Sequence, residues 1–249
     1  MELDINEENG RPVVAFYNKS NFRQSLNVAY LEDCLRIIHD NAFNPTVVPN
    51  ASDPFLLSLN LMTMDTRLIN NTASILRDVM RDRMLDSEYS YQRKNIPQEP
   101  ICNLRNKIII ISGTNHTNTD MDELVNLSWS GSWLRRMTLT AVEETHDMEE
   151  LKSYNMGNIT LVIPDNETEF KNKGSDIAHV NGCQAVLVYY QSQDTNMETY
   201  LEKFQSSSFV LKPDALRFSQ PTYPDPKPQI PQKKFNLIQV KTPLYTATI

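Results

Sequence analysis

The feature that most narrows the fold is an alternation of short, β-branched apolar runs with longer stretches of three- and four-residue apolar spacing. Strands are expected at Leu3 to Ile5, Val13 to Phe16, Phe55 to Leu59, Lys107 to Ser112, Leu124 to Leu127, Ile159 to Ile163, Gln184 to Tyr190 and Phe209 to Leu211. Most of these runs are continuously apolar, as strands buried on both faces are. Helical spacing fills the gaps. Leu31, Cys34, Leu35 and Ile38 form one stripe of a helix expected over 30–42. Leu68, Ile69, Ile75, Leu76, Val79 and Met80 do the same over 66–84, and a shorter case covers 195–204. Strands separated by helices need crossover connections, so the fold class is α/β with a parallel sheet, open or closed into a barrel. Only six glycines are present and no Gly-rich phosphate loop follows a strand, which argues against a nucleotide-binding sheet.

The 249 residues, 40% of them hydrophobic, suffice for one barrel-sized core. The net charge is -7, from 24 basic and 31 acidic residues, with no dense Lys/Arg block. Such a surface repels a phosphate backbone, so no nucleic-acid partner is expected. Any contact with anionic lipid would be local and peripheral. Cys34, Cys102 and Cys183 are too few and too scattered for a disulfide framework or a zinc site. No apolar run approaches the roughly 18 residues of a bilayer span, so no transmembrane segment is expected. The acidic start MELDINEENG is unlike a secretory signal, and the expected location is cytoplasmic. Pro221, Pro224, Pro226, Pro228 and Pro231 mark an extended, Pro-rich tail, followed by an isolated strand at Phe235 to Val240.

Two segments carry a resemblance. Asn181-Gly182-Cys183-Gln184-Ala185-Val186-Leu187, continued through Met197, Tyr200 and Phe204 to Phe209-Val210-Leu211-Lys212-Pro213, resembles the end of the Y region of eukaryotic phosphoinositide-specific phospholipase C. Leu31-Glu32-Asp33-Cys34-Leu35-Arg36-Ile37-Ile38, Asp40-Asn41-Ala42-Phe43 and Pro54-Phe55-Leu56-Leu57-Ser58-Leu59 resemble its X region. The resemblance covers residues 1 to 218 and is weakest from 114 to 158. It implies a distorted TIM-type (β/α)8 barrel, here lacking its first strand. Residues 1–113 would form the X-like half, 114–122 a short X–Y connection, and 123–218 the Y-like half. Residues 219–249 would be the Pro-rich linker and the start of a lost calcium- and lipid-binding β-sandwich.

The family hydrolyses phosphatidylinositol bisphosphate to diacylglycerol and inositol trisphosphate. That reaction needs a base at the inositol 2-hydroxyl, an acid at the leaving oxygen, a calcium ion and cations for the ring phosphates. The first catalytic histidine lies upstream of the segment matching Glu2-Leu3-Asp4 and has no counterpart. Phe16 stands at the second, and Asn60 replaces a calcium carboxylate. Ser112-Gly113-Thr114-Asn115 replaces the phosphate-binding lysines. Glu2 and Asp4 match metal carboxylates and are vestigial candidates only, while Thr160 keeps the hydroxyl of a substrate-binding serine. No catalytic residue and no cofactor are expected, although the family uses Ca2+. The chain is therefore expected to be a catalytically inactive phospholipase C-like binding or scaffold module in phosphoinositide signalling. Its partners would be a phosphoinositide or inositol phosphate and signalling proteins. The rival readings are an incompletely represented phosphoinositide phospholipase C and a nonfunctional fragment. His39, His116, His146 and His179 read as surface or capping histidines.

Overall fold

The chain opens on β1 (Glu2–Glu8), which reverses at Asn9-Gly10 into β2 (Arg11–Val14). Both turn residues have positive φ, 54° and 77°, and Glu8 pairs with Arg11 across a two-residue loop. Asn-Gly is the dipeptide that such a primed turn favours, because Asn tolerates and Gly prefers the left-handed region. The structure is a computed structural model and describes residues 1–18, 20, 22–165, 170–219 and 239–248. The chain divides into two units, Met1–Phe218 and Ser219–Ile249.

In the first unit, β3 (Ala29–Tyr30) leads into α1 (Leu31–Asn41). There follow β4 (Phe55–Leu61), α2 (Thr66–Met80), β5 (Ile108–Ser112), β6 (Leu127–Ser128), β7 (Leu134–Thr138), α3 (Leu139–Glu143) and α4 (Met148–Gly157). The unit continues with β8 (Ile159–Ile163), α5 (Asp176–Val180), β9 (Ala185–Val186) and α6 (Thr195–Lys203). One sheet runs β3-β2-β1-β4-β5-β6, with β1, β4, β5 and β6 parallel. A second, wholly parallel sheet runs β7-β8-β9. The architecture is thus mixed α/β, as the sequence pattern indicates.

The closed barrel expected from the sequence is not what the described residues form. β6 ends at Ser128, the chain turns, and β7 pairs with β8 rather than with β6. Phe209 to Leu211, expected as a strand, pairs with nothing as a strand and leaves Leu211 75% exposed. The two sheets instead meet through side chains. Ile109, Ile111 and Leu127 from the first pack with Leu134 and Leu161 from the second, flanked by Ala185 and Leu187. The opposite face of the first sheet, with Ile5, Leu57, Leu59, Ile108 and Ile110, packs under Leu31, Leu35, Ile69 and Leu76 of α1 and α2. Each such fully buried Leu or Ile contributes about 1.5–3 kcal/mol. Helix α2 is capped by Asp65, whose carboxylate accepts from the Arg67 backbone N–H at 2.9 Å.

The second unit holds an antiparallel pair, β10 (Gln239–Lys241) and β11 (Thr246–Thr248). Gln239 and Val240, the described end of the strand expected to be isolated, pair with Thr248 and Ala247. The prolines from 221 to 231, and residues 235–238 of that strand, lie outside the described residues.

Candidate functional site

Register fixes which side chains of the first sheet face its partner. Glu2 pairs with Ser58 and Asp4 with Asn60, so all four share a face, while Leu3, Ile5, Leu57, Leu59 and Leu61 turn toward the helices. The result is a polar row on an otherwise apolar inner surface. Ser58 Oγ donates to Glu2 Oε2 at 2.8 Å, and Asn60 Nδ2 donates to Asp4 Oδ1 at 2.8 Å. Burial pushes the Asp4 carboxyl above its ordinary value, and the Asn60 amide opposes that rise.

Strand β7 completes the row from the other sheet. Arg136 Nη2 donates to Glu2 Oε1 at 2.6 Å and Nε reaches Glu2 Oε2 at 3.4 Å. Its guanidinium carbon lies 5.0 Å from the centre of the Trp129 ring. Trp129 is pressed against Gly113 so closely that a Cβ at residue 113 would fall 2.6 Å from the indole. Beside it opens a recess of about 140 Å³ lined by Asn60, Leu61, Gly113, Thr114, Asn115 and Trp129. Amides and a hydroxyl line it, and Asn115 Nδ2 is already bonded to the carbonyls of Leu61 (2.8 Å) and Thr63 (3.1 Å).

The residues do not fit calcium. A calcium ion takes about six to eight oxygen ligands. Here the two carboxylates face a guanidinium and an amide N–H instead. Among the described residues, no group of three or more His, Cys, Asp or Glu side chains is placed to hold a metal.

Phe16, which the sequence resemblance aligns with a histidine, follows β2 and joins an aromatic cluster. Its ring lies edge-on to Phe170 at 5.1 Å and to Tyr189 at 6.5 Å, and those two rings are 5.4 Å apart. Thr160 is not brought to the row. It is fully buried, and its hydroxyl donates to Asn155 Oδ1 of α4 at 2.6 Å. Ser112 is also fully buried, with its hydroxyl on the Leu59 carbonyl at 2.9 Å.

Sequence reasoning missed two groups. Arg136 was missed because β7 reads Leu-Arg-Arg-Met-Thr, which lacks a strand's apolar run. The other group lies at the ends of β7 and β8, where Asp165 accepts from Thr140 Oγ1 at 2.8 Å and Lys173 Nζ at 2.9 Å. Burial raises the Asp165 carboxyl, but the bonds from Lys173 and Thr140 outweigh it and hold the group below its ordinary value. His146 is exposed, as expected, but two of the four histidines are not surface or capping side chains. His116 has no exposed surface and packs edge-on to Tyr91, with Asp122 3.7 Å away, and both ring nitrogens of His179 are buried without a hydrogen-bond partner.

No protein-family model matches the chain, and no curated protein matches it. Among solved structures, it is similar to two of a calcium-dependent phosphoinositol-specific phospholipase C from a Gram-negative bacterium, Pseudomonas sp. One is described as apo form, myoinositol complex: 10% sequence identity, TM-score 0.46, covering 76% of this chain and 79% of that one. The other is apo form, crystal form 2: 10% identity, TM-score 0.45, covering 76% of this chain and 80% of that one.

Proposed function

We propose that this chain is a phosphoinositide phospholipase C-like protein that does not cleave lipid and serves as a binding or scaffold module in phosphoinositide signalling. The observation that carries this reading is the engagement of Glu2. The carboxylate that matches a calcium ligand is held instead by Arg136 and Ser58. Phe16 supports it independently, since a phenyl ring in an aromatic cluster cannot exchange the proton that the matched histidine would. Losing one general acid or base typically costs a factor of about 10² to 10⁴. Losing the metal as well removes the stabilisation of the developing phosphorane charge.

On this reading Glu2 and Asp4 are remnants of a metal row, and the two facing sheets are a distorted barrel wall. No helix among the described residues is long and apolar enough to cross a membrane. We place the protein in the cytoplasm with at most peripheral membrane contact. The ligand would be an inositol phosphate or phosphoinositide headgroup at the recess beside Trp129, held by amides and a hydroxyl.

The test is titration with inositol trisphosphate and flotation with vesicles containing phosphatidylinositol bisphosphate. Saturable, weak headgroup binding is expected. Retention by neither vesicles, inositol phosphate nor a cell-lysate pulldown would remove the binding role. Absence of a cooperative thermal transition would favour a nonfunctional fragment.

A further inference from the structure

The polar row contains its own cation. Arg136 engages both oxygens of Glu2, and Ser58 adds a third donor to that carboxylate. The pair is sheltered: 23% of the Arg136 side chain and 14% of the Glu2 side chain are exposed. The guanidinium is also held in place from a second side, over Trp129, whose own position depends on the missing Cβ at Gly113. At Asp4, Asn60 presents its amide N–H, a donor, where a metal would require an oxygen. The two sheets share no backbone ladder among the described residues, so this ion pair ties β1 to β7 across the gap between them.

We propose that the Arg136 guanidinium is the resident cation of the Glu2–Asp4 row, so that the row is indifferent to calcium and draws its charge balance from β7. Arginine stays protonated in proteins and meets a carboxylate in a planar two-point contact, so this cation neither dissociates nor depends on ion supply. Removing it would leave two neighbouring carboxylates with only the neutral donors of Ser58 and Asn60, and the site would then respond to any small cation offered. The inference deepens the reading above and rests on its assignment of Glu2 and Asp4 as metal-row remnants. The two fail separately. Calcium-independent hydrolysis would overturn the functional reading alone, whereas saturable calcium binding without hydrolysis would overturn this one alone.

The test uses the full chain as wild type, Arg136→Ala and Arg136→Lys. Melting temperature is followed against millimolar calcium and millimolar methylguanidinium, and terbium is followed by tryptophan-sensitised emission. The wild type should show no calcium-dependent shift and no saturable terbium emission. Arg136→Ala should melt roughly 5 °C lower, as expected for breaking a part-buried pair. It should recover with either cation and gain terbium emission. Arg136→Lys keeps a charge but loses the planar contact, so it should melt between the two and stay indifferent to calcium. A calcium-dependent rise in the wild type would overturn the proposal. So would an Arg136→Ala protein that melts cooperatively and ignores both cations. If Arg136→Ala does not fold, the wild-type titrations and Arg136→Lys still decide it, and a calcium response in either overturns it.

Discussion

Gln184 and Lys212 converge on one acceptor: each donates to the backbone carbonyl of Asn155 at 2.7 Å. Asn155 lies in the last turn of α4, where carbonyls have no intrahelical partner. Gln184 also accepts from the Thr160 N–H, which fixes β8 to the same corner. Gly182 belongs to this corner too. At φ +74° it ends α5, with its N–H on the His179 carbonyl and the Cys183 N–H on the Ala178 carbonyl, the pattern of a Schellman cap. The Gly-Cys-Gln and Leu-Lys-Pro segments therefore carry helix-end architecture.

Replacing Lys212 with Met should cost about 1 kcal/mol, the scale of the hydrogen bond to the Asn155 carbonyl that a neutral amine can also donate. Burial lowers the Lys212 amine to about 8, from an ordinary value of about 10.4. Between those values the unfolded chain holds a proton that the folded chain has released, so stability from this group rises with pH across that window and is lost as pH falls through about 8. Urea titrations of wild type and Lys212→Met at several pH values should show the wild-type advantage growing from neutral to alkaline pH.

His39 has the opposite sign. Its Nδ1 lies 3.1 Å from Asp40 Oδ1 and its Nε2 3.1 Å from Asp82 Oδ1, and both nitrogens donate only in the imidazolium. Asp40, then Asp82, raise its pKa against partial burial. Its contribution is fully present below the ordinary histidine value of about 6.5 and is lost as pH rises through the raised value. Melting curves of wild type and His39→Gln should differ at mildly acidic pH, converge at alkaline pH, and lie closer together in molar salt.

Gly113→Ala tests the packing behind the recess. A Cβ at 2.6 Å from Trp129 forces the indole away, at a cost of about 1–3 kcal/mol for overpacking. Tryptophan emission should shift and the melting temperature should fall. Gly157→Ala is the control, since its nearest neighbour would be Gln98 Nε2 at an ordinary 3.5 Å.

Phe16→His should not produce lipid cleavage. It disrupts the contacts with Phe170 and Tyr189, while Arg136 remains on Glu2 and Asn60 on Asp4. Stability should drop by about 1–2 kcal/mol, from lost aromatic packing, with headgroup release unchanged from blank.

The sequence made the local elements legible wherever one face decided the fold. Helices α1, α2 and α6 and strands β4, β5 and β8 lie where apolar spacing places them. Strand β7 was hidden because its two arginines are matched only in three dimensions, Arg135 by Glu150 and Arg136 by Glu2. Helix α4 was hidden because its core contact comes from few residues, with Leu151 and Asn155 buried. Sheet closure was not legible either. Whether β6 meets β7 depends on the turn between Ser128 and Leu134, not on strand propensity. The resemblance singled out Asn60 and Phe16 in the sequence, but what they do, an amide on Asp4 and a ring in an aromatic cluster, required the fold.

The most direct measurement is hydrolysis of radiolabelled phosphatidylinositol bisphosphate by the purified chain, with calcium and with chelator. No water-soluble inositol phosphate above blank is expected in either condition. Calcium-dependent release that scales with protein concentration would contradict that expectation.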